Sequence, residues 1–423
     1  MGGERVTTAH YRSRPARSNR WMADIIFADT TRSYDGRSLN SHPLGATESS
    51  VIYLARELAR RRHEVTVFTH CERAIEDEGV MWRPLSSPPP ATCDLYVAVQ
   101  HTELLGFVRH AKRRALWVLW QPNHLEQYKR ILRMWWYRPI PVLNSLYQSR
   151  IYAPFPPHLD GRHPHSLPTG KRWIDQLSGQ YPVRNLRRLA EVWAAALLLP
   201  RREPHIVIPL GLPDDVRGRS PLQATPGRRA IFASNPVRNL RRLVEIWAAS
   251  ILPRVPDAVL DVFGIHEIAA GEGWRAWEGS FLPPNMPDQV KASIHIHPTA
   301  ARATLIGAMR SSRVMLYLGH ECEAFCMALA EAQALGTPAV IAPVAALPER
   351  VIDGVTGFHC ADPDQFAEAA VALLMDEALW RRQHEAALRL QQGITWTEQG
   401  GRFEAALLGG TLPIHRSVVK PPD

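Results

Sequence analysis

Between Met22 and Thr69 the chain sets a short apolar run, an amphipathic stretch and a second apolar run in succession. Few folds accept that order. The first run, Met22 to Phe27, is too short for a buried helix and reads as a strand. From Glu48 to Arg62 the residues Val51, Leu54, Ala55 and Leu58 recur at helical spacing, and His63 to Thr69 reads as the next strand. A switch of period from strand to helix and back, with short turns, is a βαβ unit. Its repetition implies a parallel sheet covered by helices.

The alternation continues. Leu95 to Val99 and Ala115 to Trp120 read as strands, with helices at Leu104 to Lys112 and from about Leu125. Pro154 to Gly179 turns Pro- and His-rich without periodicity and reads as an insertion. A strand at His205 to Pro213 opens a second series, with strands at Ala230–Ser234, Ala258–Phe263, Val314–Leu318 and Ala339–Ala342, and the Pro/Gly-rich stretch 209–227 is the expected hinge. With 423 residues, two domains are the natural division. The expected fold class is α/β, two doubly wound domains whose strand ends face a central cleft.

Residues 1–20 read as a disordered basic tail without the apolar segment of a secretion signal. The first domain is expected over 21–204, with 154–180 as its irregular insertion, and the second over 205–395. A helix from 396 is expected to pack back across the domains before a tail ending at 423. A net charge of +9 suits anionic partners without choosing among them. Five scattered cysteines fit a reducing cytoplasm, and Cys322 and Cys326 beside His320 lack a second ligand pair at zinc spacing, so no metal site is expected. Asp362-Pro-Asp reads as a helix start, not as a metal-binding pair. The basic and aromatic residues of 109–114 and 124–139 fit either contact with an anionic membrane or lipid-linked acceptor, or core tryptophans with a solvated basic rim. No nucleic-acid recognition module is evident, and none is expected as a partner.

The octapeptide PVRNLRRL occurs at 182–189 and again at 236–243, followed each time by a Trp-Ala-Ala echo. A single recurrence is a local duplication, not a solenoid. Only the second copy follows a strand, Ala230 to Ser234, that would deliver it to a cleft.

The segment Glu321 to Val340 carries the chemistry. A strand ends in a Gly-His turn, an acidic residue follows, a helix starts near Phe325, and Gly336-Thr-Pro stops it. Free N–H groups at such a helix start hold diphosphates. Glu323 precedes the helix and Glu331 is expected two turns inside, where a carboxylate accepts hydrogen bonds from vicinal hydroxyls. On spacing alone, a capping Glu323 and a solvated Glu331 are the plainer explanation of the pair.

Glu323 and Glu331, separated by seven residues, resemble the signature of glycosyltransferase family 4. The stretch from Leu347 through Asp353-Gly354 to Phe358 is similar to that family's downstream motif. Gly45-Ala-Thr-Glu with the following helix resembles its glycine-rich first loop. The resemblance implies a GT-B fold of two Rossmann-like domains, acceptor side first and nucleotide-sugar side second. It implies that Glu331 binds the donor ribose, that Glu323 holds hydroxyls of the transferred sugar, and that the N–H groups of Ala324, Phe325 and Cys326 face sugar and diphosphate. Gly45 and Ala46 belong to the donor-facing first loop. Arg238 would neutralise the diphosphate, with Asn235 standing where relatives carry a second arginine. His101 and His124 are candidates for a histidine near the anomeric carbon. Arg241 and Arg242 read as a solvated basic face.

The implied reaction moves a sugar from a UDP- or GDP-linked donor to a saccharide, lipid or protein acceptor, with retention and without a metal or other cofactor. It would run in the cytoplasm or at the inner face of the membrane. Two alternatives remain at this point: a degenerate member that binds a sugar nucleotide or partner without turnover, and a GT-B nucleotide-sugar epimerase.

Overall fold

The computed structural model describes residues 22–41, 44–121, 125, 128–152, 205–264, 281–283, 285–297 and 300–409. The expected tail at 1–20, the insertion at 154–180, the first copy of the repeat and His124 lie outside the described residues.

The first domain runs β1 (Asp24–Ala28), α1 (Ala46–Arg60), β2 (Glu64–Thr69), β3 (Ile75–Asp77), β4 (Val80–Pro84), β5 (Thr92–Val99), β6 (His110–Trp117), α2 (Tyr128–Tyr137), β7 (Ile140–Leu143), α3 (Leu146–Ile151) and β8 (Ile206–Val207). Its sheet has the order β3-β4-β2-β1-β5-β6-β7-β8, parallel except for the β3–β4 pair. Ile25 and Phe27 point to the face covered by Val51, Leu54 and Leu58 of α1, while Ile26 and Ala28 point to the other face with Tyr96, Leu105 and Leu116. Burial on both faces is why these strands read as unbroken apolar runs. β8 extends this first sheet just past residue 204.

The second domain follows with β9 (Gly211–Leu212), β10 (Arg229–Ala233), α4 (Leu240–Ile246), β11 (Val259–Phe263), β12 (Ile294–His297), α5 (Arg302–Arg310), β13 (Val314–Tyr317), α6 (Met327–Ala334), β14 (Ala339–Ile341), β15 (Gly357–His359), α7 (Pro363–Met375), α8 (Glu377–Leu390), β16 (Ile394–Thr395) and α9 (Trp396–Leu408). Its main sheet is parallel throughout, in the order β12-β11-β10-β13-β14-β15. Both domains are Rossmann-like. In each sheet the order reverses beside the first strand, between β1 and β5 and between β10 and β13. Loops leaving the strand ends there diverge and open a crevice.

One expected element is replaced. Leu104 to Lys112 is not a helix: a short 3-10 turn covers Thr102–Gly106, and the chain is already in β6 at His110. The basic residues there are held by distant partners. Arg114 donates to the Val108 carbonyl at 2.7 Å and lies 5.2 Å from the Tyr137 ring centre, and Lys112 pairs with Asp94 at 2.9 Å. Arg113 donates to the Leu407 carbonyl at 3.1 Å. Asp362 caps α7 by accepting from Gln365 N, as the helix-start reading requires.

After β16 the chain returns to the first domain. β16 pairs with β9, so the two crossings lie side by side. Helix α9, opened by a capping box between Thr395 and Glu398, then lies on α1 and the first sheet. Phe403 packs 6.3 Å from Phe27 and 6.0 Å from Trp117, ring centre to ring centre, while Trp396 stacks on Tyr53 at 5.3 Å.

His384 on α8 fixes the second domain's rear. Its Nε2 accepts from Leu222 N at 3.0 Å, and its Nδ1–H donates to the Gly336 carbonyl at 2.6 Å, which requires the neutral ring. Burial, with Arg310 and Arg381 nearby, outweighs the Gly336 bond and holds its pKa below the ordinary value. An unfolded histidine takes up its proton near pH 6.5 and the folded one only below that. The unfolded state then binds more protons, so stability falls as pH drops below about 6.5. His384→Gln is expected to show a flatter loss of thermal midpoint between about pH 6.5 and 5.5. Equal slopes in the two proteins would contradict the assignment.

Candidate active site

The reversal between β10 and β13 brings two loops together. One, Ser234 to Asn239, leaves β10; the other, Leu318 to Cys326, leaves β13. Asn239, in a left-handed conformation at the start of α4, ties them by donating from Nδ2 to the Gly319 carbonyl at 2.6 Å. Gly264, at the end of β11, is required beneath the first loop: its φ is +100°, and a Cβ there would sit 2.3 Å from the Ser234 carbonyl oxygen.

Arg238 and Glu323 meet in this crevice, with Arg238 Nη1 2.5 Å from Glu323 Oε1. Glu323 is 6% exposed. The Tyr317 hydroxyl also donates to Glu323 Oε1, and Ser234 Oγ lies 3.0 Å from that hydroxyl. Burial works against the charge on Arg238, but Glu323 and Tyr317 outweigh it and hold the guanidinium above its ordinary pKa. Burial, reinforced by Glu323, pushes the Cys326 thiol well up, so this cysteine stays protonated and is no nucleophile. Arg241 and Arg242 are exposed and share Glu245, as a solvated face would.

The helix begins later than the sequence suggests. Cys326 has φ 65°, and α6 starts at Met327. Ala324, Phe325 and Cys326 therefore form a buried loop ahead of the helix, and Glu331 sits about one turn inside it, not two. Glu331 is buried, and Arg302 of α5 donates from Nη2 to its Oε1 at 2.9 Å. Burial pushes the Glu331 carboxyl up against the pull of Arg302. Nothing in the sequence singled out Arg302. Asn235 serves its own loop, its Oδ1 accepting from Val237 N at 3.1 Å.

Across the cleft the first domain offers its own reversal, between β1 and β5. His101 follows β5 and packs edge-to-face on Trp120 at 5.8 Å. Gly45 is the N-cap of α1 and Ala46 its exposed first residue. A Cβ at Gly45 would lie 2.5 Å from Oε2 of Glu48, whose buried carboxylate folds over it. The domains touch where Glu349 accepts from Leu146 N at 3.1 Å and Tyr147 N at 2.6 Å at the start of α3. A cavity of about 160 Å³ is lined by Leu210, Leu212, Phe325, Arg350, Gln391 and Ile394 among others. Among the described residues no group of three or more His, Cys, Asp or Glu is placed to hold a metal ion, and no helix is long and apolar enough to cross a membrane.

The fold with its two facing crevices is GT-B. Sucrose-phosphate synthase from Thermosynechococcus elongatus has a similar structure, with a TM-score of 0.62 at 14% identity over 90% of this chain and 98% of that one. The Anabaena protein HepE in complex with UDP-glucose gives 0.58 at 13% identity, over 91% and 100%. At such identities the likeness is one of fold. Residues 229–376 match the family model described as Glycosyl transferases group 1. A D-inositol 3-phosphate glycosyltransferase of Thermobifida fusca is 28% identical over 134 residues, 30% of each chain. One from Mycolicibacterium gilvum is 30% identical over 158 residues, 34% of each. The matched stretch spans about a third of these relatives. Family match and fold together support a GT-B glycosyltransferase.

Proposed function

We propose that this chain moves a sugar from a UDP- or GDP-linked donor to a saccharide, lipid or protein acceptor, working in the cytoplasm with retention and without a metal. The observation that carries this reading is the meeting of Arg238 and Glu323 at the β10/β13 crevice, with buried Glu331 one turn along α6. Arg238 would face the diphosphate. Glu323, with Oε1 already held, keeps Oε2 for a sugar hydroxyl, and Glu331 takes the ribose.

In the reaction the bond from anomeric carbon to diphosphate oxygen breaks on the face where the acceptor oxygen bonds. The acceptor's proton passes to the departing phosphate oxygen. The protein then contributes position and charge stabilisation, chiefly from Arg238 and the loop N–H groups. His101 lies on the opposite domain, at the strand end where the anomeric carbon would be reached.

Calorimetry with UDP and GDP tests the donor side. Glu331→Ala is expected to weaken binding about tenfold or more, the usual effect of losing a hydrogen bond to a charged group. Unchanged affinity would remove Glu331 from the site. Product analysis with UDP- and GDP-sugars tests transfer, and the names of the curated relatives make D-inositol 3-phosphate a sensible acceptor to include. One observation favours a second reading, donor binding without turnover: Asn235, at the position where the family resemblance implies an arginine, supplies no charge and is occupied within its own loop. Tight nucleotide binding with neither transfer nor donor hydrolysis would select it.

A further inference from the structure

Glu331 stands on a helix whose neighbouring residues, Leu329, Ala332 and Ala334, are fully or almost fully buried. A carboxylate in that setting loses hydration and keeps its charge only beside a counter-charge. Arg302 supplies one, and Arg302 is itself fixed. Its Nε donates to Asp215 Oδ2 at 2.6 Å and its Nη2 to Asp215 Oδ1 at 2.9 Å, a fork-to-fork pair, while the same Nη2 reaches Glu331 Oε1 at 2.9 Å. Asp215 is carried by the turn Asp214–Val216 just after β9, so the stretch that follows the crossing into the second domain anchors the guanidinium. Tyr53, on α1 of the first domain, also faces these three among the described residues.

One oxygen of Glu331 is thereby held, and Oε2 has no protein partner among the described residues. We infer that Arg302, locked by Asp215, is a positioning residue that presents Glu331 as a fixed acceptor for a ribose hydroxyl of the donor nucleotide. This rests on the reading of Glu331 as the ribose contact. The planar fork matters: a lysine at 302 would keep the charge but could not grip Asp215 with two parallel bonds while reaching Glu331.

The ratio of affinities for UDP and 2′-deoxy-UDP, with GDP and 2′-deoxy-GDP alongside, reads this contact. Native protein is expected to prefer the ribonucleotide by about tenfold or more. Glu331→Gln should lose most of that preference. Arg302→Met should lose it to the same degree, Arg302→Lys should fall between, and Arg302→Met added to Glu331→Gln should change the ratio no further. Retained binding of the deoxynucleotide shows that a variant is folded, and if Arg302→Met does not fold, the Arg302→Lys ratio decides. If Glu331→Gln loses the preference while the Arg302 variants keep it, the inference is overturned and the ribose reading stands. If native protein shows no preference, the ribose reading fails and the inference falls with it.

Discussion

Arg238→Ala is expected to lower the affinity for UDP or GDP by about 10- to 100-fold, the scale of a lost charge-assisted hydrogen bond. Arg238 is the cation that the β10/β13 crevice directs at its own centre, and Arg241 and Arg242 are turned away to Glu245. The substitution also strands Glu323, whose carboxylate is buried against Tyr317. Breaking a fully buried pair costs about 3–5 kcal/mol; with the Arg238 side chain 29% exposed, a smaller loss of about 1–3 kcal/mol is expected in stability. The two effects separate in the pair of variants Arg238→Ala and Arg238→Ala with Glu323→Gln. The second should recover stability without recovering nucleotide affinity. Calorimetry and chemical denaturation read the two quantities, and near-native nucleotide affinity in Arg238→Ala would remove this residue from the diphosphate site.

Phe403→Ala is expected to destabilise the protein by about 3–5 kcal/mol, the range for deleting a buried aromatic ring. The ring is fully buried between Phe27 and Trp117, and α9 has no comparable aromatic anchor on the first sheet. The polar contacts of the same helix are weaker supports. Arg61, which pairs with Glu404 at 3.0 Å and donates to the Thr397 carbonyl at 2.9 Å, lies partly in solvent, and Arg61→Ala should cost about 1 kcal/mol or less. Urea denaturation compares them. Equal losses would mean that the helix is held by its charges.

Strands such as Asp24–Ala28, apolar from Ile25 onward, and Val314–Tyr317 were legible because burial on both faces leaves an unbroken apolar word, and α1 because its apolar stripe repeats at helical spacing. The N-terminal half of β6 was not. Residues 112–114 are Lys-Arg-Arg, and what keeps this stretch extended is pairing with β5 and contacts to Asp94, Tyr137 and Leu407, far away in sequence. At the site, Glu323, Glu331 and Arg238 could be named from the resemblance to glycosyltransferase family 4, since their spacing alone did not distinguish them from a cap, a solvated charge and a basic face. Arg302 could not: it meets Glu331 and Asp215 only through the packing of α5 against α6 and the turn after β9. The left-handed turn at Cys326 was equally hidden, since nothing in a cysteine announces a positive φ.

The return of α9 has a consequence for synthesis. Phe27 and Trp117 belong to the first third of the chain, yet the ring that covers them is not made until residue 403. At about 5–20 residues per second the emerging first domain waits on the order of ten seconds or more with the patch beside α1 that Phe403 covers left open, while the whole second domain is translated. The first domain expressed alone would keep that patch open permanently. It should be sticky unless α9 is supplied with it, as a grafted helix or as a separate peptide.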